Sequence, residues 1–490
     1  MIFEAFRRMR EERPHAAAFL VTTGDRALPI TWRQFTDDIA TIVRLIQARA
    51  PGATIGLLGE NSYEWMAAHA AVMFSGATVV PLDVNLDAAE ISARLKFAGA
   101  SVLAHSALYG EKAREVGRLT PGLIVGGFGS RKADLYLDAA SAAMRFGIDS
   151  VWDVGAKIAD VPMIMFTSGT TAEPRGAELT LEGVEAFCEG TARALPMKPG
   201  DRSLMLLPLH HIFGICTTYL MLSRGVALGI CPDFRRIYDA VERFRVNYAF
   251  LVPALAEILA EKISRKGASA EAALGQSLDW LLVGGAPISR RVYESLASLG
   301  VRVVTGYGLT ETCATYSMTP LDGDPHVGAQ GLVSQATGVE TKVSAEGELL
   351  VRGPCVMRGY WKMPEKTAEA IDADGWFHTG DLGRIDADGY VWITGRKSRT
   401  IVLSSGKKIS PEELEELLVS IPGIREAVVR GDGETRDVTA EIYGVASPEF
   451  MKKAVAQLNT RMPVYKRIRN VVVRTEPFPR TSSGKIVVAP

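Results

Sequence analysis

Residues 165–176 read MFTSGTTAEPRG, a run of hydroxyl side chains and glycines that follows the apolar segment Val161–Phe166. Backbone N–H groups can approach an anion at Gly169 and Gly176, and Arg175 adds a permanent positive charge. The hydroxyl groups come from Thr167, Ser168, Thr170 and Thr171. This composition indicates a polyphosphate-binding loop, although the Walker A spacing is absent and a polar surface turn explains the stretch equally well when it is taken alone.

The apolar segment before this loop belongs to a series of short apolar runs that alternates with amphipathic stretches up to about residue 310. A helical pattern over Tyr63–Phe74 lies between two of them. The runs are Thr54–Leu58, Thr78–Leu82, Met163–Phe166, Ser203–Leu207, Ala249–Val252 and Trp280–Val283. This alternation predicts the α/β class, with stacked and largely parallel sheets in a large N-terminal domain.

The sequence changes character from about Gly347. Residues 347–353 and 383–395 have the pattern of short antiparallel strands, and Asp388-Gly389 is a strong hairpin signal. We therefore predict a small β-rich subdomain or β-barrel over about residues 320–394, which completes an N-terminal domain of residues 1–394.

A small α+β domain is predicted over residues 400–490, after a boundary at 395–399. Its first helix is expected to have Ser410 as N-cap, Pro411 in the first turn and Glu413 closing a capping box. A second helix is expected to begin at Ser447-Pro448.

Composition and charge exclude several classes of protein. Of the 490 residues, 47% are hydrophobic and 23% charged, which is a globular balance rather than a disordered one. The formal net charge of −1 gives no basic field for nucleic acid. No segment has the roughly 18 apolar residues of a transmembrane helix. The first helix has an apolar face that we expect to pack on its own domain, with peripheral membrane contact as the alternative: Ile2, Phe3, Phe6 and Met9.

The cysteines are odd in number and scattered: Cys188, Cys216, Cys231, Cys313 and Cys355. None forms a C-x-x-C pair, and none has a histidine at zinc-ligand spacing. We interpret them as reduced thiols in the core of a cytoplasmic protein, with a catalytic cysteine as the alternative.

The loop at 165–176 resembles the phosphate loop of the adenylate-forming superfamily, which includes acyl-CoA synthetases, luciferases and peptide-synthetase adenylation domains. Fatty acyl-CoA synthetases look most similar. The family pattern is roughly [YF]-T-S-G-T-T-G-x-P-K-G, from which this chain departs at Ala172 and Arg175. Arg175 keeps the charge of the usual lysine but replaces a compact ammonium group with a planar fork. The resemblance implies that this loop holds the phosphates of ATP.

Two further motifs in family order concern the adenylate. Residues 305–311, TGYGLTE, match the family pattern Y-G-x-T-E. The resemblance implies that Tyr307 stacks on adenine, Thr310 contacts the α-phosphate and Glu311 holds Mg²⁺, a cation that prefers carboxylate oxygens. Residues 284–287, GGAP, resemble the loop that lies along adenine, where Gly285, Ala286 and Pro287 are expected to contact the nucleotide.

The ribose is assigned to a later motif. Residues 376–381, WFHTGD, resemble the family segment in which a carboxylate accepts both ribose hydroxyls, here Asp381. Arg396 is expected to contact the ribose and the phosphate.

The acid pocket is assigned to residues 207–214, LPLHHIFG, where His211 matches the family histidine. Amino-acid-activating relatives carry an aspartate in this segment, and its lack here argues against an amino-acid substrate. Gly308 occupies the position of a tryptophan in acetate-specific relatives, which implies room for a longer or an aromatic acid. The expected pocket walls are apolar: His211, Phe213, Val252, Gly284 and Gly308.

The last motif, PRTSSGK at 479–485, implies that Lys485 bridges the substrate carboxylate and the α-phosphate. Residues 400–490 are then a mobile lid, with Ser398 at the hinge position that relatives fill with Asp or Lys. Residues 401–411 resemble a hairpin whose Gly406 borders the pantetheine tunnel, in a longer form like that of long-chain enzymes. Lys407 and Lys408 either meet CoA phosphates or form a solvated turn.

The resemblance as a whole implies an ATP- and Mg²⁺-dependent ligase that converts a small carboxylic acid to acyl-AMP and then to a coenzyme A thioester. The residues expected to act in catalysis are Lys485, Thr310, Glu311, Arg175 and His211. A medium or long fatty acid is the expected substrate. The alternatives are an enzyme that loads an acyl carrier protein or activates an aryl acid, and a degenerate nucleotide-binding protein, which the departures at Ala172, Arg175 and Ser398 motivate.

Overall fold

A computed structural model describes residues 1–23, 26–128, 151–167, 174–231, 233–265, 269–274, 278–322, 326, 328–333, 338–403, 407–431, 437–480 and 486. Some of the predicted site residues lie outside these ranges, and their roles stay predictions: Ser168, Gly169, Thr170, Thr171, Gly406 and Lys485.

The described helices, in chain order, are α1 Ile2–Glu12, α2 Trp32–Arg49, α3 Tyr63–Phe74, α4 Ala88–Ala98, α5 Gly110–Leu119, α6 Val151–Val154, α7 Leu181–Ala194, α8 Ile212–Ser223, α9 Ile237–Phe244, α10 Pro253–Arg265, α11 Ala270–Leu274, α12 Arg290–Ser298, α13 Pro364–Ala370, α14 Pro411–Val419 and α15 Pro448–Thr460.

The described strands are β1 Ala17–Thr23, β2 Arg26–Thr31, β3 Thr54–Leu58, β4 Thr78–Leu82, β5 Val102–Ser106, β6 Ile124–Phe128, β7 Met163–Phe166, β8 Gly176–Leu179, β9 Arg202–Met205, β10 Ala227–Ile230, β11 Tyr248–Leu251, β12 Trp280–Val283, β13 Arg302–Leu309, β14 Ala314–Met318, β15 Glu340–Val343, β16 Glu348–Arg352, β17 Gly359–Tyr360, β18 Phe377–Ile385, β19 Val391–Arg396, β20 Ile401–Val402, β21 Lys408–Ile409, β22 Ile424–Gly431, β23 Val438–Gly444 and β24 Ile468–Val473.

A seven-stranded sheet in the order β17-β8-β7-β4-β3-β5-β6 carries the phosphate-loop segment. Strands β7, β4, β3, β5 and β6 run parallel, and β8 and β17 extend one edge in antiparallel pairing. Two four-stranded sheets, β2-β1-β10-β9 and β11-β12-β13-β14, complete the stacked arrangement. The predicted α/β class, with its largely parallel sheets, is confirmed.

Helices α3 and α8 are buried on nearly all sides, as expected for helices that lie between layers of structure. His69 of α3 and Tyr219 of α8 meet in this core, with 2.8 Å between Nδ1 and the hydroxyl oxygen. Burial lowers the pKa of His69 to about 3, so its imidazole stays neutral. The pair ties the two central helices together with a hydrogen bond that has no access to water.

Helix α1 packs on its own domain. Ile2, Phe3, Phe6 and Met9 are buried, and Phe3 stacks on Trp152 at 4.8 Å between ring centroids. The expectation that this face serves the core is confirmed, because the apolar side chains are already covered. Within the described ranges, no helix is both long and apolar enough to cross a bilayer.

A four-stranded antiparallel sheet, β15-β16-β18-β19, occupies the region predicted to be β-rich. The hairpin between β18 and β19 turns at Asp388-Gly389, where Gly389 has a φ of 87°. Leu332 bridges Met318 of β14 and Tyr390, so this sheet is joined to the β13–β14 hairpin.

The elements from β20 to β24 share a hydrophobic cluster of their own. Helix α14 begins after Ser410, as predicted, but the predicted capping box is wrong. The Ser410 side chain makes no cap; its hydroxyl donates to the Thr394 carbonyl instead. Glu413 pairs with Lys466 at 2.7 Å. Helix α15 begins after Ser447, whose hydroxyl accepts from the Phe450 amide in the expected way.

All five cysteines are free thiols and all are buried. Burial raises the pKa of Cys188 and Cys216 well above the usual thiol value, so these sulfurs stay protonated and unreactive. This fits the interpretation of the cysteines as core residues, and the alternative of a catalytic cysteine has no support from their environment.

Candidate functional site

The neck of the phosphate loop is a pair of hydrogen-bonded strands. Phe166 at the end of β7 is in register with Gly176 at the start of β8. Beyond that pair, the Thr167 amide donates to the Arg175 carbonyl at 2.9 Å. The side chains of Thr167 and Arg175 are therefore held at the base of the loop, at the carboxyl edge of the parallel strands.

The segment 305–311 crosses the same region. Strand β13 ends at Leu309, and Thr310 and Glu311 lie in a 3₁₀ turn that continues into Cys313 at φ 47° and Ala314 at φ 76°. Two successive non-glycine residues at positive φ cost about 1–3 kcal/mol each, so the surrounding structure must stabilise this turn. Both Thr310 and Glu311 are half-buried.

The neighbouring backbone leaves no space for a side chain at Gly308. A Cβ at this position would overlap the carbonyl oxygen of Ala314. The backbone of β14 fills the space beside the α-carbon of Gly308, so a side chain here would require the β13–β14 hairpin to shift. The expectation that Gly308 leaves room for the acid stays a prediction.

Glu311 is held by a residue that the sequence motifs did not identify. The Tyr360 hydroxyl donates to Glu311 Oε1 at 2.9 Å, and Tyr360 is buried. The guanidinium carbon of Arg175 lies 5.6 Å from the centroid of the Tyr360 ring, within cation–π range. Burial and the Glu311 charge raise the pKa of Tyr360, so its hydroxyl stays a donor.

Asp381 receives two donors. The Tyr307 hydroxyl donates to Oδ2, and Arg396 Nε lies 2.7 Å from Oδ1. The Asp381 side chain is 4% exposed, whereas that of Arg396 is 42% exposed. Burial, together with Tyr316 and Asp381, raises the pKa of Tyr307 well above its usual value. The structure therefore brings together three residues that were assigned separately to adenine, ribose and phosphate.

Of the expected acid-pocket residues, Phe213 and Gly284 contact each other. His211 precedes α8, and its ring lies 4.5 Å from that of His210, centroid to centroid. A Cβ built on Gly284 would lie 3.1 Å from Phe213 Cζ, so the Phe213 ring covers this glycine. Val252 Cγ1 lies 3.6 Å from the corresponding position on Gly285.

The adenine-loop residues follow strand β12. Gly285 has a φ of 81° and is exposed together with Pro287, whereas Ala286 is half-buried. An accessible turn at the end of a parallel strand is a suitable place for a ligand ring.

Ser398, the predicted hinge residue, lies between two cations that form ion pairs with different elements. Lys397 Nζ lies 3.0 Å from both Glu346 and Glu348, on the side of the β15–β19 sheet. Arg399 pairs with Glu412 at 3.0 Å and Glu415 at 2.6 Å, on helix α14. Ser398 between them is exposed.

Glu348 is a buried carboxylate next to the Gly380–Asp381 segment that the sequence motifs did not identify. Its side chain is 5% exposed, and it accepts from Lys397, from the Gly380 amide at 3.0 Å and from His378. Burial raises its pKa, but these donors outweigh burial and hold the pKa of Glu348 below its usual value. The spacing of the sequence motifs did not point to Glu348 or Tyr360. Both side chains contact residues that are distant in sequence and come close only in the folded chain.

Of the two lysines after residue 406, Lys407 is engaged within the C-terminal region. Its Nζ lies 4.2 Å from the centroid of the Tyr465 ring, and both Lys407 and Lys408 are exposed. Both alternatives for these lysines, contact with CoA phosphates or a solvated turn, stay predictions.

The sequence matches the family described as AMP-binding enzyme over residues 6–361. The chain belongs to this family. Residues 398–489 of this AMP-binding enzyme also match the family described as AMP-binding enzyme C-terminal domain. The predicted membership of the adenylate-forming superfamily is thereby confirmed.

Individual relatives resemble the AMP-binding enzyme along most of its length. A feruloyl-CoA synthase of Amycolatopsis sp is 31% identical over 97% of this chain and 95% of its own. The long-chain-fatty-acid–CoA ligase FadD13 of Mycobacterium tuberculosis is 28% identical over 89% of this chain and 87% of its own. Among solved structures, ATP-bound MatB from Rhodopseudomonas palustris has a TM-score of 0.84 at 23% identity, over 99% and 97% of the two chains, a likeness of fold.

Proposed function

We propose that this AMP-binding enzyme is an acid–thiol ligase that uses ATP, Mg²⁺ and coenzyme A. The observation that carries the proposal is the convergence of Tyr307 and Arg396 on the buried carboxylate of Asp381. A buried carboxylate with two fixed donors is oriented to accept hydrogen bonds from the hydroxyls of a ribose. The names of the relatives, which include feruloyl-CoA and fatty-acid–CoA ligases, support the thiol acceptor.

In the first half-reaction, an oxygen of the substrate carboxylate bonds to the α-phosphorus of ATP and pyrophosphate leaves, which gives an acyl-adenylate. The protein's task is to place the two reactants and neutralise charge. Arg175 and Thr310 are proposed to hold phosphate oxygens, and Lys485 to bridge the carboxylate and the α-phosphate. The half-buried Glu311 is a hard oxygen ligand that suits Mg²⁺, which when bound neutralises the charge of the phosphates.

In the second half-reaction, a thiolate attacks the acyl carbonyl and AMP leaves. We propose that residues 400–490 turn about Ser398 between the two steps, so that Lys485 withdraws and the segment around Gly406 approaches. Lys397 is anchored on the preceding sheet and Arg399 on helix α14, which supports a pivot at the residue between them.

The acid is proposed to be apolar, and an aryl acid is favoured over the long aliphatic chain that the hairpin length suggested, because a feruloyl-CoA synthase is 31% identical along 97% of this chain. The Phe213 ring covers Gly284 and makes an edge contact with Phe250 at 6.5 Å. Phe213 is half-buried, so part of its ring can contact a bound aryl acid, whereas Phe250 belongs to the core. A fatty acid stays the second candidate because of the likeness to FadD13 along 89% of the chain. The five buried free thiols support a cytoplasmic location.

The test is ATP–pyrophosphate exchange with a panel of acids, which includes ferulic, coumaric, octanoic and hexadecanoic acid. Each active acid is then supplied with ATP and free CoA, and the thioester is detected by mass. Exchange with the cinnamic acids and a CoA product are expected. Exchange with the fatty acids alone would show that the substrate is a fatty acid, the second candidate.

Two other outcomes separate the remaining alternatives. Exchange without a CoA thioester, but with loading of a phosphopantetheine carrier protein, would assign the carrier as acceptor. ATP binding without exchange for any acid would identify a degenerate nucleotide-binding protein.

A further inference from the structure

Tyr360 lies between two charged groups of the candidate site. Its hydroxyl donates to Glu311 Oε1 at 2.9 Å, and the Arg175 guanidinium carbon lies 5.6 Å from its ring centroid. Arg175 ends the phosphate loop, whereas Glu311 lies in the 3₁₀ turn after β13. One side chain therefore touches two segments that are far apart in sequence.

The backbone of Tyr360 is fixed on both sides. Strand β17 pairs with β8, with Tyr360 opposite Ala177, and the Trp361 amide donates to the Gly176 carbonyl at 2.8 Å. The Tyr360 amide donates to the Thr367 hydroxyl at 2.9 Å. The ring is thus carried by the same strand pair that forms the neck of the phosphate loop.

Glu311 is held from the same segment of chain. Its carbonyl accepts from the Met357 amide at 2.8 Å, three residues before Tyr360. With Oε1 occupied by the Tyr360 hydroxyl, the rotamer of the carboxylate is fixed and Oε2 has a defined direction. A carboxylate that must bind a hard cation gains affinity when its orientation is set beforehand.

We propose that Tyr360 is a positioning residue, which orients the Glu311 carboxylate for a nucleotide-bound divalent cation through its hydroxyl and seats Arg175 through its ring. The inference rests on the proposed use of MgATP. It also gives the departure at Arg175 a physical reason, since a planar guanidinium stacks on an aromatic face better than an ammonium does.

The test separates the hydroxyl from the ring. In Tyr360→Phe, the ring and its packing stay, whereas the hydroxyl that donates to Glu311 is lost. We expect the dissociation constant of Mn²⁺ in the complex with ATP, measured by electron paramagnetic resonance, to rise roughly tenfold, as for the loss of a hydrogen bond to a charged group. Binding of metal-free ATP, measured by calorimetry, should be unchanged.

In Tyr360→Leu the aromatic ring that Arg175 contacts is also lost. This variant is expected to weaken metal-free ATP binding as well, by about fivefold, which is the size of a partly exposed cation–π contact. Tyr238→Phe is the matched control, because Tyr238 is also buried and its hydroxyl donates to a backbone carbonyl, that of Ala273, at 2.7 Å. It should change neither binding constant.

An unchanged Mn²⁺ constant in Tyr360→Phe would overturn the proposal. If Tyr360→Phe melts much lower than Tyr238→Phe, the comparison is repeated in Glu311→Gln. There the hydroxyl should no longer affect the metal constant, and an equal effect in both backgrounds would show that Tyr360 does not act through Glu311. If the unaltered protein binds ATP with no metal dependence, the proposed function fails and not this inference alone.

Discussion

The Tyr307 hydroxyl donates a hydrogen bond to the Asp381 carboxylate and so joins two segments that are 74 residues apart. Arg396 Nε reaches the other carboxylate oxygen at 2.7 Å. The carboxylate is consequently held in one orientation by donors on both of its oxygens.

Discrimination between ATP and 2′-deoxy-ATP should depend on Asp381. In the unaltered protein, ATP is expected to bind about tenfold or more tightly than the deoxynucleotide, because a charged acceptor loses a hydroxyl partner. In Asp381→Asn the ratio should fall to about threefold or less. Calorimetric titration with each nucleotide measures it. Asp388→Asn, an exposed aspartate in the β18–β19 turn, is the control, and equal ratios in both variants would contradict the assignment.

Lys485→Ala should separate the two half-reactions. Loss of the cation that bridges the carboxylate and the α-phosphate is expected to reduce ATP–pyrophosphate exchange by about a hundredfold or more. Thioester formation from supplied acyl-AMP and CoA should change by less than about fivefold. Lys453→Ala, which removes an exposed lysine of helix α15 that is assigned no role in either step, serves as control. Unchanged exchange would remove Lys485 from the adenylation step.

Ser398→Pro should slow the second half-reaction more than the first. Proline fixes φ near −65°, so it removes one of the two rotations available at the pivot. Single-turnover measurements of adenylate formation and of thioester formation from acyl-AMP give the two rates, with Ser398→Ala as control. A proline variant that slows both steps equally, or neither, would place the pivot elsewhere.

The free energy of unfolding should fall in acid through His69. The folded-state pKa is lowered to about 3 from 6.5, so the unfolded chain takes up the proton first as the pH falls. Stability is therefore present above about pH 6.5 and is lost towards pH 3, at about 1.4 kcal/mol per pH unit. Between pH 7 and 5, urea unfolding should show a loss about 2 kcal/mol larger than in His69→Gln. The exposed His15→Gln should keep the full slope, and an identical slope in His69→Gln would contradict the burial of a neutral imidazole.

Gly308→Ala should destabilise the β13–β14 hairpin. The added methyl group would overlap the Ala314 carbonyl, and the backbone shift costs about 1–3 kcal/mol. Thermal melting measures the loss. Gly110→Ala is the control, because its Cβ would meet only His105 at an ordinary 3.5 Å. Equal melting temperatures would mean that the hairpin relaxes without cost.

The regular part of the fold could be predicted from periodicity. Helix Tyr63–Phe74 and strands Thr54–Leu58 and Thr78–Leu82 have the bounds that their apolar patterns gave. The cap at Ser410 could not be predicted in this way, because its hydroxyl is taken by Thr394, a residue that only the packing of β19 against α14 brings close.

The candidate site, too, could be predicted only in part. Motif spacing identified Tyr307, Asp381 and Arg396, but it did not indicate that these residues bond to one another. Tyr360 and Glu348 carry no local signal, since a tyrosine in a short strand and a glutamate in a sheet are common. Position 308 requires glycine because a Cβ there would overlap the Ala314 carbonyl across the strained turn. This close approach depends on the folded backbone, so the sequence pattern alone does not reveal it.

The burial of all five thiols affects how the protein responds to oxidised coenzyme A. A protein that handles a thiol at high local concentration also meets its oxidised form, which traps exposed cysteines as mixed disulfides. Such exchange needs an accessible thiolate, and these sulfurs are covered and, at Cys188 and Cys216, strongly protonated. The enzyme's surface is therefore inert towards CoA disulfide, so oxidation of the cofactor pool would deplete its co-substrate without modifying the protein.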